Sequence, residues 1–176
     1  MTITNTTSSI AHSVEPYIHR GNFALSSGEA VEWYIDGRSF MLDIRNAAVA
    51  GQALVSLLDP DLTCVGGPAT AAIPVVAAII HQSPQPRQGF YVRPAAKDYG
   101  MLNRIEGNLA PEVAIVDDTC FSGESILAAI DAVEQAGSTV RQVLAVFDRD
   151  HGGAAIRAAG YRYNYVLRLE DGNPVS

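Results

Sequence analysis

Apolar positions along this chain follow two periods, and the two alternate. Residues 113–116 are a continuous apolar run, short enough for a strand buried on both faces of a parallel sheet. Beyond it, Ile126, Leu127, Ile130 and Val133 fall at the 0, +1, +4, +7 spacing of one helix face, and Gly137 stops that helix. The same order repeats upstream. Residues 62–65 predict a strand, 71–81 a helix rich in small and β-branched residues, and 89–92 the next strand. Asp43 stands where it caps a helix whose apolar face is Ala47, Ala50, Gly51, Leu54 and Leu58, with Pro60 just past its end. Downstream, 140–147 predicts a strand, 153–159 a short helix stopped by Gly160, and 161–169 a last strand at an edge of the sheet. Near the N-terminus, 2–9 reads as a mobile Thr/Ser/Asn tail. Ser9 or Ser13 then caps a short helix running to Arg20, and 32–36 is a short strand. Strands alternating with helices at this spacing define an α/β fold with a mostly parallel central sheet flanked by helices. No repeat or linker interrupts the pattern, so 1–176 reads as a single domain.

One segment breaks the pattern. Residues 93–108 are polar, contain Gly100 and Gly107, and have no period; a loop of that length in a compact domain is commonly a functional lid. Composition narrows the partners. The 176 residues, 48% of them hydrophobic, suffice for one sizeable core. A net charge of −7 with 12 dispersed Lys and Arg argues against a nucleic-acid or anionic-membrane surface, but leaves room for an anionic small molecule met by local cations. No apolar run is long enough to span a membrane, and the first nine residues lack the basic start and apolar stretch of a secretion signal, so a cytoplasmic location is expected. Cys64 and Cys120 fit no metal-ligand spacing and are expected to be reduced thiols, Cys64 for packing and Cys120 near a turn without being a nucleophile. His12, His19, His81 and His151 form no ligand cluster. Tyr161, Tyr163 and Tyr165 read as one face of a strand, for packing or a dimer surface.

The chemistry is concentrated after the 113–116 run. Asp117 and Asp118 follow it, then the small-residue turn Ser122, Gly123, then the helix. A helix N-terminus offers unpaired N–H groups and a partial positive charge, suited to a phosphate. The acidic pair stands at the carboxyl edge of the sheet, where open α/β sheets bind ligands, and is expected at an exposed strand end. Carboxylates there can hold sugar hydroxyls or the water of a magnesium ion.

Residues 115–119 (Ile-Val-Asp-Asp-Thr) with Ser122 and Gly123 resemble the phosphoribosyl pyrophosphate (PRPP) motif of the type I phosphoribosyltransferases. Phe121 and Glu124 depart from it, since that family usually has small or hydroxylic residues there. Four further segments resemble the orotate-specific branch of the family, in the same order and spacing, from about residue 20 to 169. Residues 23–28 with 33–36 look like its base segment, which places Ser26, Tyr34 and Ile35 at the pyrimidine. Residues 66–72 look like its diphosphate turn, which implies Gly67, Ala69 and Thr70 as ligands. Residues 93–100 resemble its mobile catalytic loop: Arg93, Lys97 and Gly100 match, while Pro94 replaces a Lys and Tyr99 a His. Arg149, at the end of a strand, matches an Arg that pairs with the carboxylate of orotate, for which a planar guanidinium fork is suited.

The resemblance implies a type I phosphoribosyltransferase fold, with residues 10–42 forming a small hood over the carboxyl edge of the sheet. It implies transfer of phosphoribosyl from PRPP to orotate, giving orotidine 5′-monophosphate and diphosphate with Mg²⁺ bound mainly through PRPP and water. Asp117 and Asp118 would hold the ribose hydroxyls, and Ser122, Gly123, Glu124 and Ser125 would surround the 5′-phosphate. Lys97, Arg93 and Asp118 would be catalytic, the two cations neutralising the leaving diphosphate. It further implies a homodimer in which the 93–108 loop crosses to the partner site. Two alternatives stay open: a phosphoribosyltransferase for another base, and a non-catalytic PRPP- or nucleotide-binding homologue, the latter motivated by Pro94, Tyr99, Phe121 and Glu124.

Overall fold

The computed structural model describes residues 3–24, 30–94 and 104–175. The chain opens with α1 (Ile3–Ser13), a 3₁₀ turn at Glu15–Tyr17, and the strands β1 (Ile18–Ala24) and β2 (Ala30–Ile35). Then follow α2 (Gly37–Leu42), α3 (Ile44–Leu57), β3 (Cys64–Pro68), α4 (Ala72–Gln82), β4 (Gln88–Val92) and β5 (Ile105–Gly107). The second half is β6 (Glu112–Cys120), α5 (Glu124–Gln135), β7 (Thr139–Arg149), α6 (Ala154–Ala158), β8 (Tyr163–Glu170) and β9 (Asn173–Val175). Seven strands make one sheet in the order β5-β4-β3-β6-β7-β8-β9, and β1 and β2 form a separate antiparallel hairpin. The five central strands are mutually parallel, with antiparallel β5 and β9 closing the edges. The α/β fold with a mostly parallel central sheet is therefore as the pattern of the sequence requires.

The apolar run explains the sheet's burial. Side chains alternate across a strand, so Val113 and Ile115 of β6 join the cluster formed with Ile126, Ile130, Val133 and Ile156, while Ala114 and Val116 face the cluster of Leu54, Val75, Ile79 and Phe40. All four are fully buried. Asp43 caps α3 as expected, its Oδ1 accepting from the N–H groups of Arg45 at 2.9 Å and Asn46 at 3.3 Å.

Four expectations are corrected. The 2–9 tail and the helix to Arg20 give way to α1 (Ile3–Ser13) followed by strand β1, because Ile10 and Val14, one helical turn apart, are fully buried in the main core. Gly66 and Gly67 are not the turn but the middle of β3. A Cβ on Gly66 would collide with the Phe90 ring, and one on Gly67 with the Val116 carbonyl, so these glycines let neighbouring strands and α4 approach. The 93–108 segment is not a loop throughout, since β5 pairs with β4 near its end. The 161–169 strand is not at the edge, because β9 covers it. Helix α2 has no forerunner in the sequence pattern. Asp36 caps it, accepting from the Ser39 N–H at 3.0 Å and the Ser39 hydroxyl at 2.7 Å.

Candidate active site

The carboxyl ends of β3, β6 and β7 open onto a cavity of about 610 Å³, roofed by the end of β2 and the start of α2. Its floor is the acidic pair. Residues 121–125 form part of its wall, where Gly123 takes a φ of 80° that a side chain would resist, and α5 begins immediately after it. The Ser122 hydroxyl accepts from the Glu124 N–H at 3.4 Å. Ser125 also faces the cavity, as do Ala69 and Thr70, joined by a cis peptide bond, and Ala71. Tyr34, Ile35 and Arg149 line the same cavity.

Asp117 and Asp118 are 3% and 7% exposed, so the expected exposed strand end is corrected: β6 runs on through both, to Cys120, between β3 and β7. Asp117 Oδ1 accepts the Asp118 N–H at 3.0 Å, and Asp118 Oδ1 accepts the Thr119 N–H at 2.7 Å. Burial, and after it the neighbouring Asp118 charge, holds the Asp117 carboxyl well above the ordinary range. Asp118 is also raised by burial, against the Thr119 N–H and the Arg38 charge, which favour its ionised form. Burial and mutual repulsion together disfavour full ionisation of the pair, Asp117 the more strongly.

Arg38 is the functional residue the sequence reading misses. It lines the cavity, and its pKa is raised first by a hydrogen bond with Tyr34, with Asp118 adding to the effect. It lies in the gap between two recognised patterns, yet its neighbour carries a signal: a Cβ on Gly37 would lie 2.5 Å from Thr119 Oγ1 and 2.6 Å from Asp118 Oδ2. Only glycine lets the first turn of α2 come down onto the acidic pair. Thr119, whose buried Oγ1 has no hydrogen-bond partner among the described residues, also lines the cavity.

Arg149 has 4% of its side chain exposed. Its guanidinium lies over the Trp33 ring at 4.3 Å and over the Phe121 ring at 4.4 Å, and Nε donates to Asp150 Oδ2 at 3.3 Å. The next residue back, Asp148, is fully buried; it accepts from the Gly153 N–H at 2.9 Å, the Tyr163 hydroxyl at 3.1 Å and Arg168 Nε at 3.1 Å, fixing the chain that carries Arg149.

The remaining expected site residues divide. Gly67 does not reach the cavity, being packed within β3. Arg93 is absent from the cavity wall and sits 3.9 Å from Glu106 across the β4–β5 pair. Ser26 and Lys97 lie outside the described residues, as does Tyr99. Cys120 is buried, and burial pushes its thiol up to about 12, which removes the thiolate a nucleophile needs. Among the described residues no group of three or more His, Cys, Asp or Glu is placed to hold a metal ion, and no helix is long and apolar enough to cross a membrane.

A parallel sheet with an acidic pair and a left-handed glycine turn at its carboxyl edge, under an N-terminal hairpin, is the arrangement of a type I phosphoribosyltransferase. Solved structures agree. The chain superposes on Mycobacterium tuberculosis H37Rv orotate phosphoribosyltransferase in complex with PRPP with a TM-score of 0.78 and 34% identity, covering 93% of this chain and 96% of that one. A Corynebacterium diphtheriae phosphoribosyltransferase gives a TM-score of 0.82 and 31% identity over 93% and 96%. By sequence, Mycobacterium avium (strain 104) orotate phosphoribosyltransferase is 41% identical over 155 residues, 86% of this chain and 87% of that protein. No model of a known protein family matches the chain. On these similarities the chain belongs to the orotate phosphoribosyltransferase family.

Proposed function

We propose that this protein transfers the phosphoribosyl group of PRPP to orotate, giving orotidine 5′-monophosphate and diphosphate in pyrimidine biosynthesis. The observation that carries the reading is the single cavity that unites Tyr34, Ile35 and Arg149 with Asp117, Asp118 and the 121–125 turn. Each part has a chemical task there. The N–H groups of the turn and of the start of α5, with the Ser122 and Ser125 hydroxyls, receive the 5′-phosphate. Asp118, ionised beside Arg38, accepts from a ribose hydroxyl, and Asp117 holds the second. Arg149 pairs with the orotate carboxylate while Tyr34 and Ile35 pack on the ring. Breaking the glycosidic bond builds positive charge on the ribose and negative charge on the diphosphate, so fixed charges and positioning account for most of the rate. Ala69 and Thr70 face the diphosphate side, and the 93–108 lid of a second copy would supply the cations of Lys97 and Arg93 to it.

Mg²⁺ fits this site as an ion carried mainly by PRPP and water: two buried carboxylates are too few for a protein-only cage, yet either can accept from a metal-bound water. Once bound, the ion would offset diphosphate charge. On this reading the enzyme would work in the cytoplasm as a homodimer. Ile44, 83% exposed, lines an apolar groove walled also by Met41, Pro74 and Ala77, and a second copy is the occupant such a surface suits. Incubating the protein with PRPP, Mg²⁺ and a panel of bases, and following loss of each base, tests the assignment. Orotate is the expected substrate; consumption of uracil or a purine in its place would move the enzyme to another branch.

A further inference from the structure

The Arg149 guanidinium is gripped by aromatic rings from two separate parts of the chain. Trp33 comes from the hood strand β2. Phe121 comes from the turn between β6 and α5, at a position where small or hydroxylic residues were expected. Both ring contacts are short, at 4.3 and 4.4 Å, and the guanidinium is almost fully withdrawn from water, the setting in which a cation over a ring is held most strongly. A ring engages the face of a guanidinium, whereas a carboxylate engages its in-plane N–H groups. The rings therefore set the plane of the guanidinium without competing with a planar acid for it. Asp150, 3.3 Å from Nε, fixes one edge.

From this geometry we infer that Phe121 is a specificity-determining residue that acts through Arg149: by clamping the guanidinium together with Trp33, it makes the site select a base that carries a carboxylate. The departure at Phe121 thus exchanges a hydroxyl donor in the phosphate turn for a ring that orients the cation on the base side. It also ties the two halves of the site together, because Phe121 is contiguous with Ser122 and Gly123 and lines the same cavity as Arg149. The inference rests on the orotate reading proposed above.

The test is steady-state kinetics of Phe121→Leu, which keeps an apolar side chain but removes the ring face, beside Phe121→Tyr, which restores it. Phe121→Leu should raise the KM for orotate about tenfold, the scale of one desolvated cation–ring contact, and lower the preference for orotate over uracil by a similar factor. The KM for PRPP should change by less than about twofold, and Phe121→Tyr should return the orotate KM to near the wild-type value. A thermal melt of each variant separates loss of fold from loss of orientation. Three outcomes overturn the inference: an unchanged orotate KM in Phe121→Leu, a parallel rise in the KM values of both substrates, or failure of Tyr to rescue a well-folded protein. Wild-type protein that converts another base but not orotate would instead remove the functional reading itself, and the inference with it.

Discussion

Replacing Asp117 by Asn should make the free protein more stable and the PRPP complex weaker. Asp117 is 3% exposed, and burial together with Asp118 drives its pKa well up. A carboxyl with a raised folded-state pKa contributes stability fully present below its unfolded pKa and lost as pH rises through the folded one. At neutral pH the buried acid is therefore a liability. Its upper bound is the work of keeping it protonated, about 1.4 kcal/mol for each pH unit above an ordinary Asp value near 3.9, or about 4 kcal/mol at pH 7. Asn recovers part of this. Its carbonyl oxygen can still accept the Asp118 N–H, held at 3.0 Å by Asp117 Oδ1, and its amide N–H groups replace the proton shared with Asp118. Allowing for imperfect amide geometry, we expect a gain of about 1–2 kcal/mol at pH 7.5, shrinking towards zero near pH 4. Urea unfolding of both proteins across that range measures it, and calorimetry with PRPP and Mg²⁺ should show affinity reduced at least about tenfold, the cost of one charge-assisted hydrogen bond. A variant less stable than wild type at neutral pH, or an advantage that does not grow with pH, would refute the account of the pair.

The same pair predicts proton release when PRPP binds, because ribose hydroxyls favour the ionised carboxylates; the binding enthalpy should then vary with the ionisation enthalpy of the buffer, and a buffer-independent value would count against it. Glu124→Thr should tighten PRPP binding by about 1 kcal/mol, since Glu124 lines the phosphate end of the cavity and an acid there repels the ligand; a clear loss of affinity would mean that Glu124 contacts the ligand itself. If the proposed homodimer forms through this apolar surface, wild type should sediment as a dimer and Ile44→Glu, which charges a residue 83% exposed, as a monomer; a monomeric wild type, or an unchanged mass in the variant, would count against it.

What was legible in the sequence follows from how local each signal is. Helix α3 announces itself by a cap and a face within a few residues, and β6 and α5 by an apolar run, a glycine turn and a helical stripe. Helix α1 does not, because its Thr/Ser/Asn composition favours no helix and its anchors Ile10 and Val14 gain their burial from distant elements. Gly66 and Gly67 illustrate the ambiguity of glycine: the residue that makes a turn also admits a close neighbour, and only the neighbours Phe90 and Val116 decide. At the site, Tyr34, Ile35, Asp117, Asp118, the 122–125 turn and Arg149 could be picked out by motif, and the fold places all of them on one cavity. Arg38 could not, since its position depends on how closely Gly37 approaches Asp118 across the sheet edge. The burial of the acidic pair was equally hidden, because β3 and β7 flank β6 only in the folded sheet.

The central claim is that one cavity joins PRPP chemistry to an orotate-selective base site. Quantifying orotidine 5′-monophosphate and diphosphate formed by the purified protein from orotate, PRPP and Mg²⁺ tests it most directly. The two products should appear in equal amounts, should require both substrates, and should fall sharply in Asp118→Asn and in Arg149→Ala. Absence of the nucleotide from well-folded wild-type protein, or formation undiminished in both variants, would contradict it.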